Sequence, residues 1–587
     1  MNMQIVENPS RLKLLGHDVL LIGIMAVLAG CGLIYEYLLS HYAGRVLGIM
    51  ETAIYAMIGL MIVSMGLGAF AAKIFKDPFT AFAWLEAIIA LIGMSSIIVI
   101  AAIIALTGTL PELIAETYNL PPDTVIDGGV LEQLQSYATF LPYVAGFLLG
   151  FFIGMEIPLI ARVREKVYGR HLENNAGTIY GADYIGAGIG AFIWVTIMLT
   201  LDITIAGVWT AGFNIVAGSI FLLRYWREIK RAWWLVVLHL VLVVLLFFIA
   251  DSGARWMSNF SNVLYKDQVF YQVNTPFQNI TFTHRRQGTV DEPVIDMYLN
   301  GRLQFSSSDE KIYHSMLTYP GLMASARHEH VLVIGGGDGL AVRDILDWSP
   351  KSVTLVDLDP GLVELFSNRY AKRHDDKTVA LREQLLKLNR EAFEDPRVSV
   401  IFGDAFIEID TLLKQQKHFD TIIVDLPDPS HPDLNKLYSD HFYSRLRQLL
   451  SGDGALVVQS TSPYHARDAF ISIGKTVKQA GYENVEQYRQ NVPSFGEWGW
   501  TIATKMGQAA TTRLKRYNEL PVANNYLSTA LLNGSFAMPA NFYEDMDLIK
   551  INQLGSGVLY QYHVKAWQKD TGVYQSDAPV PDLEVTN

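Results

Sequence analysis

A glycine-rich turn follows a short apolar run in "VLVIGGGDGLAVRDIL" at 331–346, beginning at Gly335. Glycine lets a ligand approach backbone that side chains would otherwise block, and the following helix would offer the partial positive charge of its amino terminus. The turn is not a P-loop, because no Gly-Lys-Ser/Thr follows, and it lacks the G-x-G-x-x-G spacing. Taken alone, it fits a nucleotide-type ligand and a tight packing turn equally well.

Carboxylates stand at the ends of the next two apolar runs. Asp357 ends the run in "VTLVDLD", about 20 residues beyond the glycines, where a carboxylate can accept the hydroxyls of a ribose. Asp404, in "FGDA", follows the third run, where the base would lie. A helix cap is the structural alternative for each. Several acids at one sheet edge favour a nucleoside ligand.

Three further acids indicate that this ligand is cationic. Asp338 lies inside the glycine turn, where it would repel a pyrophosphate but attract an amine or a sulfonium, so we expect an S-adenosyl compound. Asp425 and Asp428 in "IIVDLPDPSHP" could bind a metal, cap a helix, or hold an amine and take its proton. A metal would want more ligands, and only His431 is near, so the amine interpretation is favoured.

These residues require a sheet that brings the ends of its strands together. The runs "VLVI", "VTLV", "VSVIF", "TIIVD" and "ALVVQ", separated by helical stretches, predict a doubly wound parallel sheet, an α/β Rossmann-like domain of the methyltransferase type over 311–505. Alternating residues predict a small antiparallel β-sheet over 255–310, with turns at Gln287-Gly288 and Asn300-Gly301. The extension over 506–587 has no clear period and stays unassigned.

The amino-terminal part of the chain is predicted to be a multi-pass α-helical membrane domain over 1–250. The 587 residues are 50% hydrophobic and only 18% charged, with a mean hydropathy of +0.22, which is too apolar for an ordinary soluble protein. Seven segments could each cross a bilayer: 17–40, 52–72, 80–107, 138–161, 176–200, 204–223 and 232–250.

Loop charges predict the orientation of these helices. Lys and Arg residues cluster at 73–76, 162–170 and 224–231, whereas the loop 108–136 has acidic residues and no Lys or Arg. The positive-inside rule then puts the amino terminus in the cytoplasm and, after seven crossings, the rest of the chain outside.

The net charge of -12 argues against a nucleic-acid partner, and the single cysteine, Cys31, excludes an intrachain disulfide.

Four acids lie within the apolar segments: Glu36, Glu86, Glu156 and Asp183. An ionised carboxylate in a membrane is costly unless it is paired or wetted, so such residues are functional candidates. A path for a cationic polyamine is one hypothesis, and structural pairing with Arg or Tyr groups is the alternative. The small residues from Gly181 to Gly190 indicate close helix packing.

Six ordered motifs give the chain a resemblance to a known family. These are "LNGRLQFSSSDEKIYHSML", "VLVIGGGDGLAVRDIL", "VTLVDLD", "DPRVSVIFGDAF", "IIVDLPDP" and "VPSFGEWGW", and the similarity covers about residues 263–505. They resemble the spermidine synthases, the polyamine aminopropyltransferases, and the whole chain resembles the bacterial subgroup with an amino-terminal multi-spanning membrane domain.

The resemblance implies specific roles. The co-substrate would be decarboxylated S-adenosylmethionine, with no prosthetic group and no metal, and the acceptor a small diamine. The implied contacts are Gln278, Asp357, Asp404 and Ala405 with the nucleoside, Pro432 beside it, Asp338, Tyr313 and His314 with the amine and the aminopropyl group, Asp425 as proton acceptor, and Gln304 in a family motif with a less defined contact.

Three positions depart from the family pattern. Asp357 stands where the family usually has Glu, Ser315 replaces a usual Glu after the Tyr-His pair, and Phe495 stands where a Tyr facing the substrate is common. Losing a carboxylate and a hydroxyl near the amine leaves the identity of the acceptor open.

Two other functions stay open on the sequence alone: an S-adenosylmethionine-dependent methyltransferase, and a non-catalytic polyamine or nucleoside sensor or carrier. The Asp-x-x-Asp-Pro loop and the Tyr-His pair favour the aminopropyltransferase.

We expect a homo-oligomer, a dimer, in the bacterial inner membrane. The side of the catalytic domain is in conflict, because loop charges put it outside, whereas S-adenosyl substrates are made in the cytoplasm.

Overall fold

The computed structural model describes residues 11–47, 50–117, 129–168, 174–265, 267–285 and 293–570. The chain divides into two compact units, Met1–Pro276 and Phe277–Asn587. The predicted turn at Gln287-Gly288, the middle of the acidic loop 108–136 and the end of the extension lie outside the described residues.

The first unit is a helical bundle. Its core consists of apolar side chains from most of the helices, such as Leu28, Met57, Phe82, Leu149 and Leu235. Its helices are α1 (Arg11–Leu47), α2 (Met50–Ala71), α3 (Pro78–Thr117), α4 (Gly129–Thr139), α5 (Leu141–Tyr168), α6 (Asn175–Thr196), α7 (Ile203–Arg224) and α8 (Ala232–Leu264), and a strand, β1 (Gln268–Asn274), follows them.

A helix covers each of the seven predicted apolar segments. Six described helices are long and apolar enough to cross a membrane, at Leu15–Gly44, Ala53–Ile74, Pro78–Leu110, Gln133–Tyr168, Ile203–Arg224 and Ala232–Gly253. The seventh predicted span, α6, is not among these six helices. Asp183 and a run of glycine and tyrosine residues lower its hydropathy. The six others match a multi-pass membrane domain in length and composition.

The small residues of α6 lie against α1. A Cβ added at Gly186 would come within 2.0 Å of the Ala26 carbonyl oxygen, and one at Gly190 within 2.5 Å of the Gly30 carbonyl oxygen. No larger side chain fits at either position, so the two backbones approach closely. This is the helix packing that the glycine spacing predicts.

The second unit begins with the small antiparallel sheet. The strand β2 (Asn279–Arg285) pairs with β3 (Val294–Leu299), and β3 pairs with β4 (Arg302–Ser306). The turn between β3 and β4 is at Asn300 and Gly301, whose φ angles are 51° and 82°. Two successive positive φ angles are what an Asn-Gly hairpin turn requires, so this predicted turn is confirmed.

A seven-stranded sheet forms the centre of the second unit. All five predicted parallel strands are present: β5 (His330–Gly335), β6 (Ser352–Asp357), β7 (Val398–Phe402), β8 (Phe419–Asp425) and β9 (Leu450–Gln459). The strand order is β9-β8-β5-β6-β7, and β11 (Gly496–Thr504) and β10 (Asn484–Val492) add an antiparallel hairpin beside β9. The order reverses between β5 and β8, which is the switch point where such sheets bind ligands.

Helices cover the sheet, and the carboxyl-terminal extension folds onto the same unit. Leu559 of the extension is fully buried in one core cluster with Val477. The helices are α9 (Glu310–Ala324), α10 (Leu340–Leu346), α11 (Pro360–Leu365), α12 (Asp376–Asn389), α13 (Ala405–Lys414), α14 (Asp440–Leu449), α15 (Arg467–Gln479), α16 (Ala510–Leu514), α17 (Thr529–Gly534) and α18 (Val558–Asp570).

Candidate active site

The glycine turn lies directly against two of the predicted carboxylates. Gly335 and Asp425 are neighbours in the register of β5 and β8. A Cβ at Gly336 would lie 3.2 Å from Oδ2 of Asp425, and a Cβ at Gly337 would lie 2.7 Å from Oδ2 of Asp357. Gly335 and Gly336 also have φ angles of 79° and 69°, which favour glycine. The turn therefore needs glycine both for its conformation and for its contact with the carboxylates.

Asp425 has the environment of a general base. The Tyr313 hydroxyl donates a 2.7 Å hydrogen bond to its Oδ1. Burial raises the pKa of Asp425 to about 6, against the opposing effects of His314 and this hydrogen bond. Tyr313 itself lies edge-on to Phe495 at 5.9 Å between ring centroids. A carboxyl with a pKa just below neutrality is ionised at pH 7 and is still basic enough to accept a proton.

Asp338 lies at the start of α10. Its Oδ1 accepts a 2.9 Å hydrogen bond from the Leu340 amide, and the Asn389 side chain donates to its carbonyl oxygen at 3.1 Å. Burial raises the pKa of Asp338, whereas the charge of His314 lowers it. Asp338, Asp425 and His314 thus interact electrostatically.

His314 belongs to a buried ion-pair network. Its Nδ1 lies 2.8 Å from the Glu310 carbonyl oxygen and 3.1 Å from Oε2 of Glu310. Arg343 binds the same carboxylate with two nitrogens, at 2.8 and 2.9 Å. Burial lowers the pKa of His314, but Glu310 outweighs it and raises this pKa to about 9. His314 is therefore an imidazolium at neutral pH, and it partly offsets the effect of burial on Asp338 and Asp425.

Glu310 and Arg343 are not among the site residues predicted from the sequence. Glu310 is four residues before His314 on α9, so helical spacing within the motif "SSDEKIYHS" was a usable signal. No local pattern indicates Arg343, which is 33 positions from Glu310 along the chain.

The predicted nucleoside side has its own hydrogen bonds. Oδ1 of Asp357 accepts from the Asp359 amide at 2.8 Å, and Gln278 donates to Oδ2 of Asp359 at 2.8 Å. Burial raises the pKa of Asp357 to about 7. Gln278 and Asp357 are thus both bonded to Asp359, which also caps α11 through the Gly361 amide.

Asp404 is a helix cap, the structural alternative that the sequence left open for it, and it is also paired with a cation. It caps α13 by accepting from the Phe406 amide at 2.9 Å, and Lys436 donates to its Oδ2 at 2.6 Å. Ala405, the first residue of α13, is buried. Pro432 begins the short helical segment Pro432–Tyr438, which contains Lys436. The bond from Lys436 to Asp404 therefore ties this segment to the end of β7.

Asp428 follows Asp425 on the loop after β8, and its two oxygens have different partners. Gln459 donates to Oδ1 at 3.0 Å, and Nε2 of His563 lies 3.3 Å from Oδ2. Tyr313 interacts electrostatically with both Asp425 and Asp428. His563 comes from the unassigned extension and is not among the site residues predicted from the sequence.

Gln304 makes its hydrogen bonds within β4. Its amide nitrogen lies 3.3 Å from the backbone oxygens of Arg302 and Leu303, in its own strand. Its contact with substrate stays a prediction.

The fold and the carboxylates at the switch point define a Rossmann-like transferase domain of the methyltransferase type. The Spermine/spermidine synthase domain model matches residues 310–515. A polyamine aminopropyltransferase of Shewanella oneidensis is 57% identical over 96% of this chain and 97% of its own length. Polyamine aminopropyltransferase 1 of Streptomyces coelicolor is 32% identical over 90% of this chain and 91% of its own. The chain therefore belongs to the polyamine aminopropyltransferase family.

A solved structure of spermidine synthase in complex with the transition state analogue AdoDATO aligns with 48% of this chain and 88% of its own. The sequence identity is 22% and the TM-score is 0.41.

Proposed function

We propose that this protein is an integral-membrane aminopropyltransferase. It moves the aminopropyl group of decarboxylated S-adenosylmethionine to a diamine such as putrescine and releases methylthioadenosine. The observation that supports this most is Asp425, a half-buried carboxylate whose pKa is raised to about 6 by desolvation. It accepts a hydrogen bond from the Tyr313 hydroxyl beside the glycine turn.

In the proposed reaction Asp425 and Asp428 first bind the protonated amine. A primary amine with a pKa near 10, as in lysine, cannot attack carbon while it is protonated, so Asp425 takes one proton as the nitrogen lone pair attacks the aminopropyl carbon. A carbon–nitrogen bond forms, the bond from that carbon to sulfur breaks, and its electron pair stays on sulfur. The sulfonium becomes a neutral thioether, so the leaving group needs no protonation.

The nucleoside would be held on the other side of the glycine turn. Asp357 would accept the ribose hydroxyls, Asp404 would contact the base, and Gln278, Ala405 and Pro432 would complete the site. Asp338 would attract the cationic end of the donor, because an anion inside the turn favours a sulfonium or an amine. Alignment of the two substrates would supply much of the rate enhancement.

The test uses the purified full-length protein in detergent with decarboxylated S-adenosylmethionine and a panel of amines, followed by mass analysis of the products. We expect an acceptor heavier by one aminopropyl group and one equivalent of methylthioadenosine. Methyl transfer from S-adenosylmethionine without any aminopropyl product would establish the methyltransferase alternative. Binding of both substrates without either product would establish the sensor or carrier.

We propose further that the catalytic unit lies on the cytoplasmic side of the bacterial cell membrane. An even number of crossings returns the chain to the side on which it began. The side of the catalytic unit therefore depends on whether α6 crosses the membrane. Six crossings, as counted by length and apolarity, would put both termini in the cytoplasm, where the donor is made. Seven crossings would follow the loop charges and put the catalytic unit outside.

Cysteine labelling in intact cells tests the side of the membrane. Lys351→Cys probes the catalytic unit at a side chain that is 66% exposed. Gln133 and Arg227 are both exposed. Gln133 precedes α6 and lies outside with either number of crossings, so it is the control for labelling. Arg227 lies between α7 and α8, and six crossings put it outside whereas seven put it inside. An impermeant maleimide should label the Gln133→Cys and Arg227→Cys variants and leave Lys351→Cys unlabelled. Labelling of Lys351→Cys together with protection of Arg227→Cys would contradict the cytoplasmic placement.

A polyamine path through the helical bundle is a second candidate function. Glu86 and Glu156 are each 1% exposed. Oε1 of Glu86, Oε2 of Glu156 and the Tyr35 hydroxyl have no hydrogen-bond partner among the described residues. Glu156 interacts electrostatically with Glu86 and Asp183. Buried polar atoms of this kind normally have partners, which supports a site for a cationic ligand. The bond from Asn214 to Oε2 of Glu86 at 2.9 Å agrees with the structural alternative.

Proteoliposomes test this path. Polyamine flux should fall to the background of empty liposomes when Glu36, Glu86, Glu156 and Asp183 are all changed to their amides, and it should persist in the matched variant Asp251→Asn, whose side chain is 75% exposed. Flux that is unchanged in the fourfold variant would rule out the path through these acids.

A further inference from the structure

The carboxyl-terminal extension contributes a buried side chain to the predicted amine-binding carboxylate. Nε2 of His563, on α18, lies 3.3 Å from Oδ2 of Asp428, and the His563 side chain is fully buried. Because an ionised carboxylate only accepts hydrogen bonds, Nε2 must carry the proton and donate it. Gln459 donates to the other oxygen at 3.0 Å, so both oxygens of Asp428 are fixed.

The same extension also reaches the helix that contains the Tyr-His pair. Asn524 donates a 2.9 Å hydrogen bond from its side chain to the hydroxyl oxygen of Ser315, the residue that directly follows His314. One turn further along α9, the Tyr319 hydroxyl donates to the Ala523 carbonyl oxygen at 3.2 Å. The extension therefore contacts α9, which carries Tyr313, as well as the loop after β8.

Buried contacts hold the extension in this place. Asn552 is 0% exposed, and its side chain donates to the Asn435 carbonyl oxygen at 2.9 Å while its backbone amide donates to Thr476 at 2.9 Å. Leu559, on α18, is also 0% exposed in the core cluster of this unit. These contacts fix α18 against the segment that follows Asp428, and they give His563 a defined position.

We propose that the carboxyl-terminal extension completes the acceptor-amine subsite, with His563 as the positioning residue of Asp428. This proposal rests on the proposed aminopropyl transfer. A carboxylate offers about four lone-pair sites, and the donors on Gln459 and His563 occupy two, so each oxygen keeps one for an ammonium group. His563 stops Asp428 from rotating away from Asp425, and the amine meets two fixed carboxylates.

The test separates amine binding from catalysis in the full-length protein. His563→Ala removes the donor, and a lost hydrogen bond to a charged group predicts a rise of about tenfold in the KM for the amine. We expect kcat and the KM for the sulfonium donor to change less than about twofold, because uniform binding of one substrate affects its KM alone. His563→Gln keeps an amide N–H that can reach Asp428, and it should restore most of the amine affinity.

Gln561→Ala, on the exposed face of α18, is the matched control and should leave all constants unchanged. Calorimetric titration of the amine, with methylthioadenosine present, should give the same tenfold change in Kd for His563→Ala. An unchanged KM and Kd would overturn the proposal, as would a parallel loss in kcat and both KM values that His563→Gln does not rescue. A wild-type protein without aminopropyl transfer would refute the proposed function instead, and the calorimetric Kd would still decide the role of His563.

Discussion

Replacing Asp425 with Asn tests whether Asp425 is the general base, because the amide keeps the shape of the carboxylate and removes its charge. An amine with a pKa near 10 is unprotonated in about one molecule in 10³ at pH 7. Without a base only this fraction can react, so kcat should fall by about 10³-fold, within the 10² to 10⁴-fold that general-base catalysis contributes. The Tyr313 hydroxyl can still donate to the amide oxygen, so we expect the fold to persist.

The pH profile gives this prediction a second, independent readout. Asp425 must be ionised to accept a proton and burial raises its pKa to about 6, so kcat/KM of the wild-type protein should rise as the pH rises through about 6 and then level off. The rate of Asp425→Asn should instead increase about tenfold per pH unit between pH 7 and 9, in step with the fraction of unprotonated amine.

The assay is initial-rate formation of methylthioadenosine by the purified full-length protein at saturating donor, from pH 5 to 9. Asp433→Asn, in the short helical segment Pro432–Tyr438 and with a side chain that is 82% exposed, is the matched control and should behave as wild type. An Asp425→Asn variant with the wild-type thermal midpoint and more than a third of the wild-type kcat would refute the assignment of Asp425 as the base.

Two further predictions concern the residues around this base. Gly337→Ala places a Cβ 2.7 Å from Oδ2 of Asp357, so the KM for the nucleoside donor should rise at least tenfold; Gly534→Ala, where nothing lies within 4 Å, should not change it, and equal KM values in the two variants would contradict the contact. Arg343→Met leaves the buried carboxylate of Glu310 without its bidentate partner, which should cost about 3–5 kcal/mol and lower the thermal midpoint of the full-length protein; an unchanged midpoint would contradict the importance of this ion pair.

Much of the catalytic fold could be predicted because its signals are local. The five parallel strands are continuous apolar runs bounded by turns, and Asn300-Gly301 has the residue types of its turn. The hairpin of β10 and β11 was not predicted as strands, because Gln487, Gln490 and the glycines at 496 and 499 interrupt the alternation that identifies a half-buried strand. Its position is set by pairing with β9, which a local pattern does not contain.

The helical part shows a related limit of hydropathy. Apolar length located seven of the eight helices described in the first unit, all but the short α4, since a span needs about 20 apolar residues. The same rule does not decide whether α6 crosses the membrane. The glycines of α6 allow its close contact with α1, and they also lower its hydropathy. Helix packing, rather than apolar length, accounts for the sequence of α6.

The sequence by itself determined the class of chemistry. The glycine turn, the strand-end acids Asp357 and Asp404 and the pair Asp425 and Asp428 are each adjacent in sequence to the strand that positions them, so their shared edge follows from the parallel sheet.

Only the tertiary structure decided which partners set the charge and orientation of these groups. Glu310, which raises the pKa of His314 to about 9, is paired with Arg343 across 33 positions. His563 reaches Asp428 across 135 positions. Both contacts join helices to other elements through buried side chains. Their specificity arises from packing between elements, and no repeat or spacing in the chain records it.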